Sequence, residues 1–220
     1  MKLYIHMCWN ASVSLNTFLF SSFVLTLIIY NNSFTKYKIQ DLNSIWIYLF
    51  LLSFILMQLI EYFIWRNINN KFYNHVFSIC ATLLLIIQPV VSIMIVSNIP
   101  LRNLLLISYL SLAIAYSIYN FYTKDMYSVV SKKGHLNWLF VDITSVAIIV
   151  WLFFFLFSLF YEQKYFEFLF GIIMLLVSYI NYTTDNTVGS MWCWVVNSVM
   201  IYYAVYLLIY LPYLEKIKMK

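Results

Sequence analysis

Glycine and proline are scarce in this chain, with 3 of each in 220 residues. Turn-rich and all-β architectures draw heavily on both, so neither suits this sequence. Charge is scarce too: 10% of the residues are Asp, Glu, Lys or Arg, against about a quarter in a soluble domain. The 3 cysteines form no Cys-x-x-Cys pair, and His75 and His135 lack zinc-motif spacing, which argues against a metal centre. No phosphate-binding loop, Gly-x-Ser-x-Gly turn or His-Glu-x-x-His helix is present. The last apolar segment holds no lysine, so a retinal Schiff base has no attachment point. The residues leave any cofactor unidentified.

What fills the chain instead is apolar: 64% hydrophobic residues and a mean hydropathy of +0.85. No soluble fold covers that much apolar surface, so most of the chain is solvated by a lipid bilayer. Long uninterrupted runs point to helices rather than the short alternating strands of a barrel. The net charge of +5 rests on few residues in short loops and the tail. It reads as topology and contact with anionic lipid, and no basic domain is there to hold a nucleic acid. Among 20 Tyr, 19 Phe and 7 Trp there are candidates for interfacial anchors. The excess of Ile, Tyr, Phe, Asn and Lys fits AT-rich coding.

Seven apolar segments of spanning length follow in order, at about 8–30, 42–65, 75–96, 101–121, 136–160, 165–182 and 189–210. The predicted fold is therefore an all-α polytopic bundle of seven transmembrane helices forming one domain. Residues 1–7 do not resemble a cleavable signal, because the run that follows is long enough to span. In the first segment Asn10, Ser14, Thr17 and Ser21 form a polar stripe that packs on other helices or lines a cavity. Gln88-Pro89 interrupts the third, freeing a backbone carbonyl. Residues 122–135 make the longest and most polar loop. Lys and Arg divide almost evenly between the two sides, so the positive-inside rule leaves orientation open.

The second segment carries the most informative stretch. Gln58, Glu61, Tyr62 and Trp65 share one helical face, and Glu61 is the sole acid well inside the first four segments. An ionisable group at membrane depth marks a functional site by default. With seven spans, parity collects Cys8, Trp9, Glu61, Trp65, His135, Asp142, Trp192, Cys193 and Trp194 on the N-terminal side of the bundle. A polar, aromatic-lined vestibule is expected there. Glu61 has three readings: a structural contact with Arg66 or Gln88, a site for a cation with tryptophan faces around it, or an acid/base group. Asp142 reads as a carboxylate at a helix start, as a ligand-binding group, or as a catalytic acid. Cys8 and Cys193 are placed for a disulfide, with buried free thiols as the alternative. Asn10, Asn31 and Asn181 match the glycosylation pattern but lie at helix ends.

Three stretches together carry a resemblance: Met7-Cys8-Trp9-Asn10-Ala11-Ser12, Gln58-x-x-Glu61-x-x-x-Trp65, and Gly189-Ser190-Met191-Trp192-Cys193-Trp194. The chain resembles a family of small, uncharacterised multi-pass membrane proteins of giant DNA viruses, algae and bacteria. Asn10 stands where that family usually has Ser, and residues 1–6 precede its common start. The resemblance implies an integral membrane protein of a virion or host cell, and it supplies no activity to carry over. The leading expectation is binding or passage of a small cation or ligand at Glu61, Gln58, Trp65, Gln88, Asp142, His135, Trp9, Trp192 and Trp194. The alternatives are a lipid-acting enzyme using Glu61, Asp142 and His135, and a structural membrane component.

Overall fold

The computed structural model describes residues 10–141 and 146–218 of the chain. Helix α1 is Ala11–Phe34, α2 Ile45–Arg66, α3 Lys71–Ile93 and α4 Ile99–Thr123. An antiparallel hairpin follows, with β1 at Ser128–Val130 and β2 at Leu136–Trp138. Helix α5 is Val146–Tyr161 and α6 is Tyr165–Tyr182. The last span is built from α7 (Val188–Val196), α8 (Val199–Val205), a wide π turn at Tyr206–Tyr210, and α9 (Leu211–Lys218). Six spans are long and apolar enough to cross a membrane, and α5 is a shorter apolar helix. The protein is an integral membrane protein and an all-α bundle of about seven helices.

Asparagines start several of these helices. Asn10 accepts from the amides of Ser12 and Val13, Asn70 from Tyr73, and Asn98 from Leu101, each satisfying first-turn donors. Of the six long spans α2 is the most enclosed, and α4 and α6 the least. On α4, Leu104, Ile107, Ile114 and Ile118 are exposed, as are Leu169, Ile173, Leu176 and Ile180 on α6. Those are the faces the apolar sequence leaves to lipid.

Two expectations need correction. The fifth segment does not run as helix from 136: residues 136–138 pair with 128–130 in the hairpin. The amide of Gly134 donates to Ser131 O, and Gly134 itself sits at φ 85, which a side chain would resist. The amide of Ser131 then closes the turn on His135 O at 2.8 Å. The seventh span is not continuous either. It breaks at Asn197–Ser198, where the Asn197 amide group donates to Cys193 O at 2.8 Å and Phe54 O at 3.4 Å. Polar side chains that bind nearby carbonyls in this way compete with the helical ladder.

Pro89 sits inside α3. It has no N–H, so the carbonyl of Leu85, four residues earlier, loses its helical partner. Hydrocarbon offers no water to replace it. Trp151 of α5 does so, its Nε1–H donating to Leu85 O at 2.6 Å, and the Tyr109 hydroxyl of α4 donates to Ile86 O at 2.8 Å. The kink thus ties α3 to both later helices. Gln88 points elsewhere, donating to Ser53 O of α2 at 3.4 Å. Trp151→Phe is expected to cost about 1–3 kcal/mol of stability. In a Pro89→Ala background the same change costs less, because residue 89 again supplies an amide to Leu85 O. Unfolding of the four proteins in detergent measures this coupling, and a value near zero would refute the role given to Trp151.

Candidate functional site

Helical spacing places Gln58 and Glu61 one turn apart on α2. The Gln58 Nε2 group donates to Glu61 Oε2 at 2.9 Å, and both side chains are buried, Gln58 at 0% and Glu61 at 2% exposure. Glu61 lies five residues before the end of α2, about 7–8 Å from the helix end. The Ser190 hydroxyl, in the first turn of α7, comes to the same carboxyl group. Arg66 and Gln88 are not its partners. Among the described residues the ion pair found is Lys36 with Glu215, elsewhere in the bundle. Glu61 Oε1 and Gln58 Oε1 are buried with no hydrogen-bond partner among those residues.

A cavity of about 10 Å³ adjoins the carboxyl group, lined by Asn10, Ser14, Trp65, Leu136, Ser190 and Trp194 among others. That volume holds one water-sized particle. The polar stripe of α1 therefore does both things expected of it: Ser14 lines the cavity, and Thr17 accepts from Trp194 Nε1 at 3.0 Å. Leu136 belongs to β2, so the hairpin forms one wall.

The hairpin is held down from below by α3. Asn74 accepts from the Ser128 amide at 2.9 Å and donates to the Ser128 carbonyl at 2.8 Å, while Ser78 and Ser128 hydroxyls bond at 3.0 Å. On the far side Ser131 donates to Asp185, in the turn after α6. Trp138 packs so close to Gly189 that a Cβ there would lie 3.2 Å from its ring. Nothing in the sequence flagged Asn74 or Ser128. The readable signal was Gly134 between two short runs, Ser128–Val130 and Leu136–Trp138, each able to form a strand.

The other expected residues disperse. Trp65 and Trp194 meet at the Glu61 cavity. Trp192 lies in the bundle interior, donating to Gly171 O at 3.2 Å and meeting Trp151 and Phe155 edge-on. Gln88 lines that same inner space. His135 sits on the hairpin with its ring edge-on to Tyr182, 5.2 Å away. Cys193 is a buried free thiol rather than half of a disulfide, enclosed with Met57, Trp138 and Phe140. Cys8, Trp9 and Asp142 lie outside the described residues.

No family model matches this chain, and no curated protein or solved structure is detectably similar to it.

Outside the spans, burial pushes the His135 pKa below the ordinary imidazole value; Asp185 opposes the shift and Lys133 adds to it. The folded hairpin therefore holds the His135 proton more weakly than the unfolded chain does. The stability gained is present above about pH 6.5 and is lost as pH falls through the lower folded value. Amides of residues 128–138 are expected to exchange faster at pH 5 than at pH 7.5, after correction for intrinsic rates. His135→Gln should flatten that difference, and equal protection of the wild type at both pH values would count against it.

Proposed function

We propose that the protein binds a small monovalent cation, the proton included, at Glu61 on the hairpin-covered end of the bundle. The observation that supports this is a buried carboxyl group beside a one-particle cavity, with one oxygen unpartnered and no basic side chain paired to it among the described residues. An isolated buried carboxylate is too costly to persist, so its charge must be matched. One monovalent cation does this, and the Glu61 carboxylate and the Ser190 hydroxyl, which both line the cavity, are hard oxygen ligands of the type such ions take. Trp65 and Trp194 line the same cavity.

A catalytic reading has less support. Its three groups were Glu61, Asp142 and His135, and His135 packs on Tyr182 without lining the Glu61 cavity. Resemblance in the Gln58-x-x-Glu61-x-x-x-Trp65 and Gly189–Trp194 stretches supports membership of the multi-pass family of giant DNA viruses, algae and bacteria. With it comes a location in a virion or host-cell membrane.

Thermal unfolding in detergent tests the site. Sodium or potassium, against choline at equal ionic strength, is expected to stabilise the wild type, by about 2.7 kcal/mol at 100 times Kd. Glu61→Gln keeps the shape and removes the charge, so it should stay folded and lose the cation response. A wild type indifferent to cation identity and to pH would leave Glu61 a packing residue and overturn the proposal.

A further inference from the structure

A second cavity, of about 250 Å³, lies between α3, α4, α5 and the hairpin, away from Glu61. Along α4 it runs from Tyr109 to Asn120, about 16 Å at the helical rise. Those two residues tie α4 to its neighbours. The Tyr109 hydroxyl donates to Ile86 O at 2.8 Å, and Asn120 Nδ2 donates to Phe140 O at 3.0 Å. Between the two ties α4 stands off from α3 and α5, and the cavity is the gap. Leu112, on its wall, is 52% exposed, so the gap continues onto the α4 face left to lipid.

The cavity offers little to water. Thr82 donates to Ser78 O, Ser117 to Ala113 O and Trp151 to Leu85 O, so these lining donors are engaged, as is Tyr109. Asn120 Oδ1 and Trp138 Nε1 have no partner, but each exposes less than 1 Å² and is sealed from the space. A buried water needs about two to four polar partners, and an apolar cavity of about 150 Å³ stays dry and binds small hydrocarbons. Left empty, a cavity costs stability in proportion to its volume.

We infer that an alkyl chain of a bilayer lipid occupies this cavity and packs α4 against α3 and α5. The gap is longest along α4, the direction in which lipid chains lie beside a spanning helix. Its length is about that of the hydrocarbon of one leaflet. Bilayer hydrocarbon is also the medium against the exposed face of α4, so the occupant is supplied there in excess over any other apolar molecule. With the lining donors engaged, a polar head loses its hydration on entry and gains little in return. The head therefore stays at the interface, and selection falls on the chain. Cation binding at Glu61 is not involved.

Photolabelling tests the assignment. The full chain is reconstituted in phosphatidylcholine vesicles containing a phosphatidylcholine with a diazirine midway along one acyl chain. Labelled residues are then mapped by tandem mass spectrometry. Lipid on the outer surface reaches Leu104 and Ile107, which are exposed on α4 and serve as the internal standard. A chain inside the cavity also labels Leu85, Ile86 and Trp151 on its inner wall. Ala113→Phe, or Ala147→Phe from the α5 side, fills the space with a ring. Either should abolish the inner label and leave the outer label unchanged, with helicity and size-exclusion profile as in the wild type. Wild-type label confined to the outer residues would overturn the proposal and leave a void closed to lipid. So would inner label that persists in a folded, cavity-filled variant.

Discussion

A carbonyl without an amide partner has nowhere to turn in hydrocarbon, and that constraint shapes this bundle. Pro89 creates such a carbonyl at Leu85, and Trp151 answers it from α5. The same rule explains the other polar side chains of the interior. Ser92 bonds Ser158 and the Phe155 carbonyl, Gln88 reaches Ser53 O, and Trp192 reaches Gly171 O. Each links two spans through a group that water would otherwise satisfy. Among the described residues a few such groups find no partner, Glu61 Oε1, Ser21, Ser178 and Asn197 Oδ1 among them.

Helix number and approximate bounds were legible in the sequence because spanning length and apolar composition are set by the bilayer, not by tertiary detail. The segments expected at 42–65 and 165–182 lie within a few residues of α2 and α6. The shared face of Gln58 and Glu61 was legible for a similar reason, since i,i+3 spacing on a helix is a local property. The partner expected for Glu61 was Arg66 or Gln88, and it is Gln58. The fifth segment failed at its start. Leu136 and Trp138 are as apolar as a membrane helix, and what makes them a strand is pairing across Gly134 and anchoring by Asn74, more than 50 residues away in sequence. Periodicity over so short a run cannot separate the two outcomes.

The dispersal of the tryptophans has the same origin. Parity put Trp65, Trp192 and Trp194 on one side of the membrane, and depth and side alone made them neighbours. Residues 192 and 194 nevertheless fall on different faces of α7, since two helical positions are about 200° apart. Trp194 turns to α1 and the Glu61 cavity; Trp192 turns to α5 and α6. A shared end of a bundle fixes height but not azimuth. Only contacts with other helices fix the latter.

The hairpin connects the two cavities through its geometry. Successive residues of a strand point to opposite faces, so Leu136 and Trp138 share one face and both are buried. Leu136 lines the Glu61 cavity and Trp138 the larger one. Helix α7 divides in the same way, with Ser190 and Trp194 on the first and Gly189 and Cys193 on the second. A three-residue strand and one helix therefore serve as a common partition. Because Trp138 rests against Gly189 with no room for a methyl group between them, the strand cannot move towards α7 without displacing it. Any shift of the hairpin alters the walls of both cavities together.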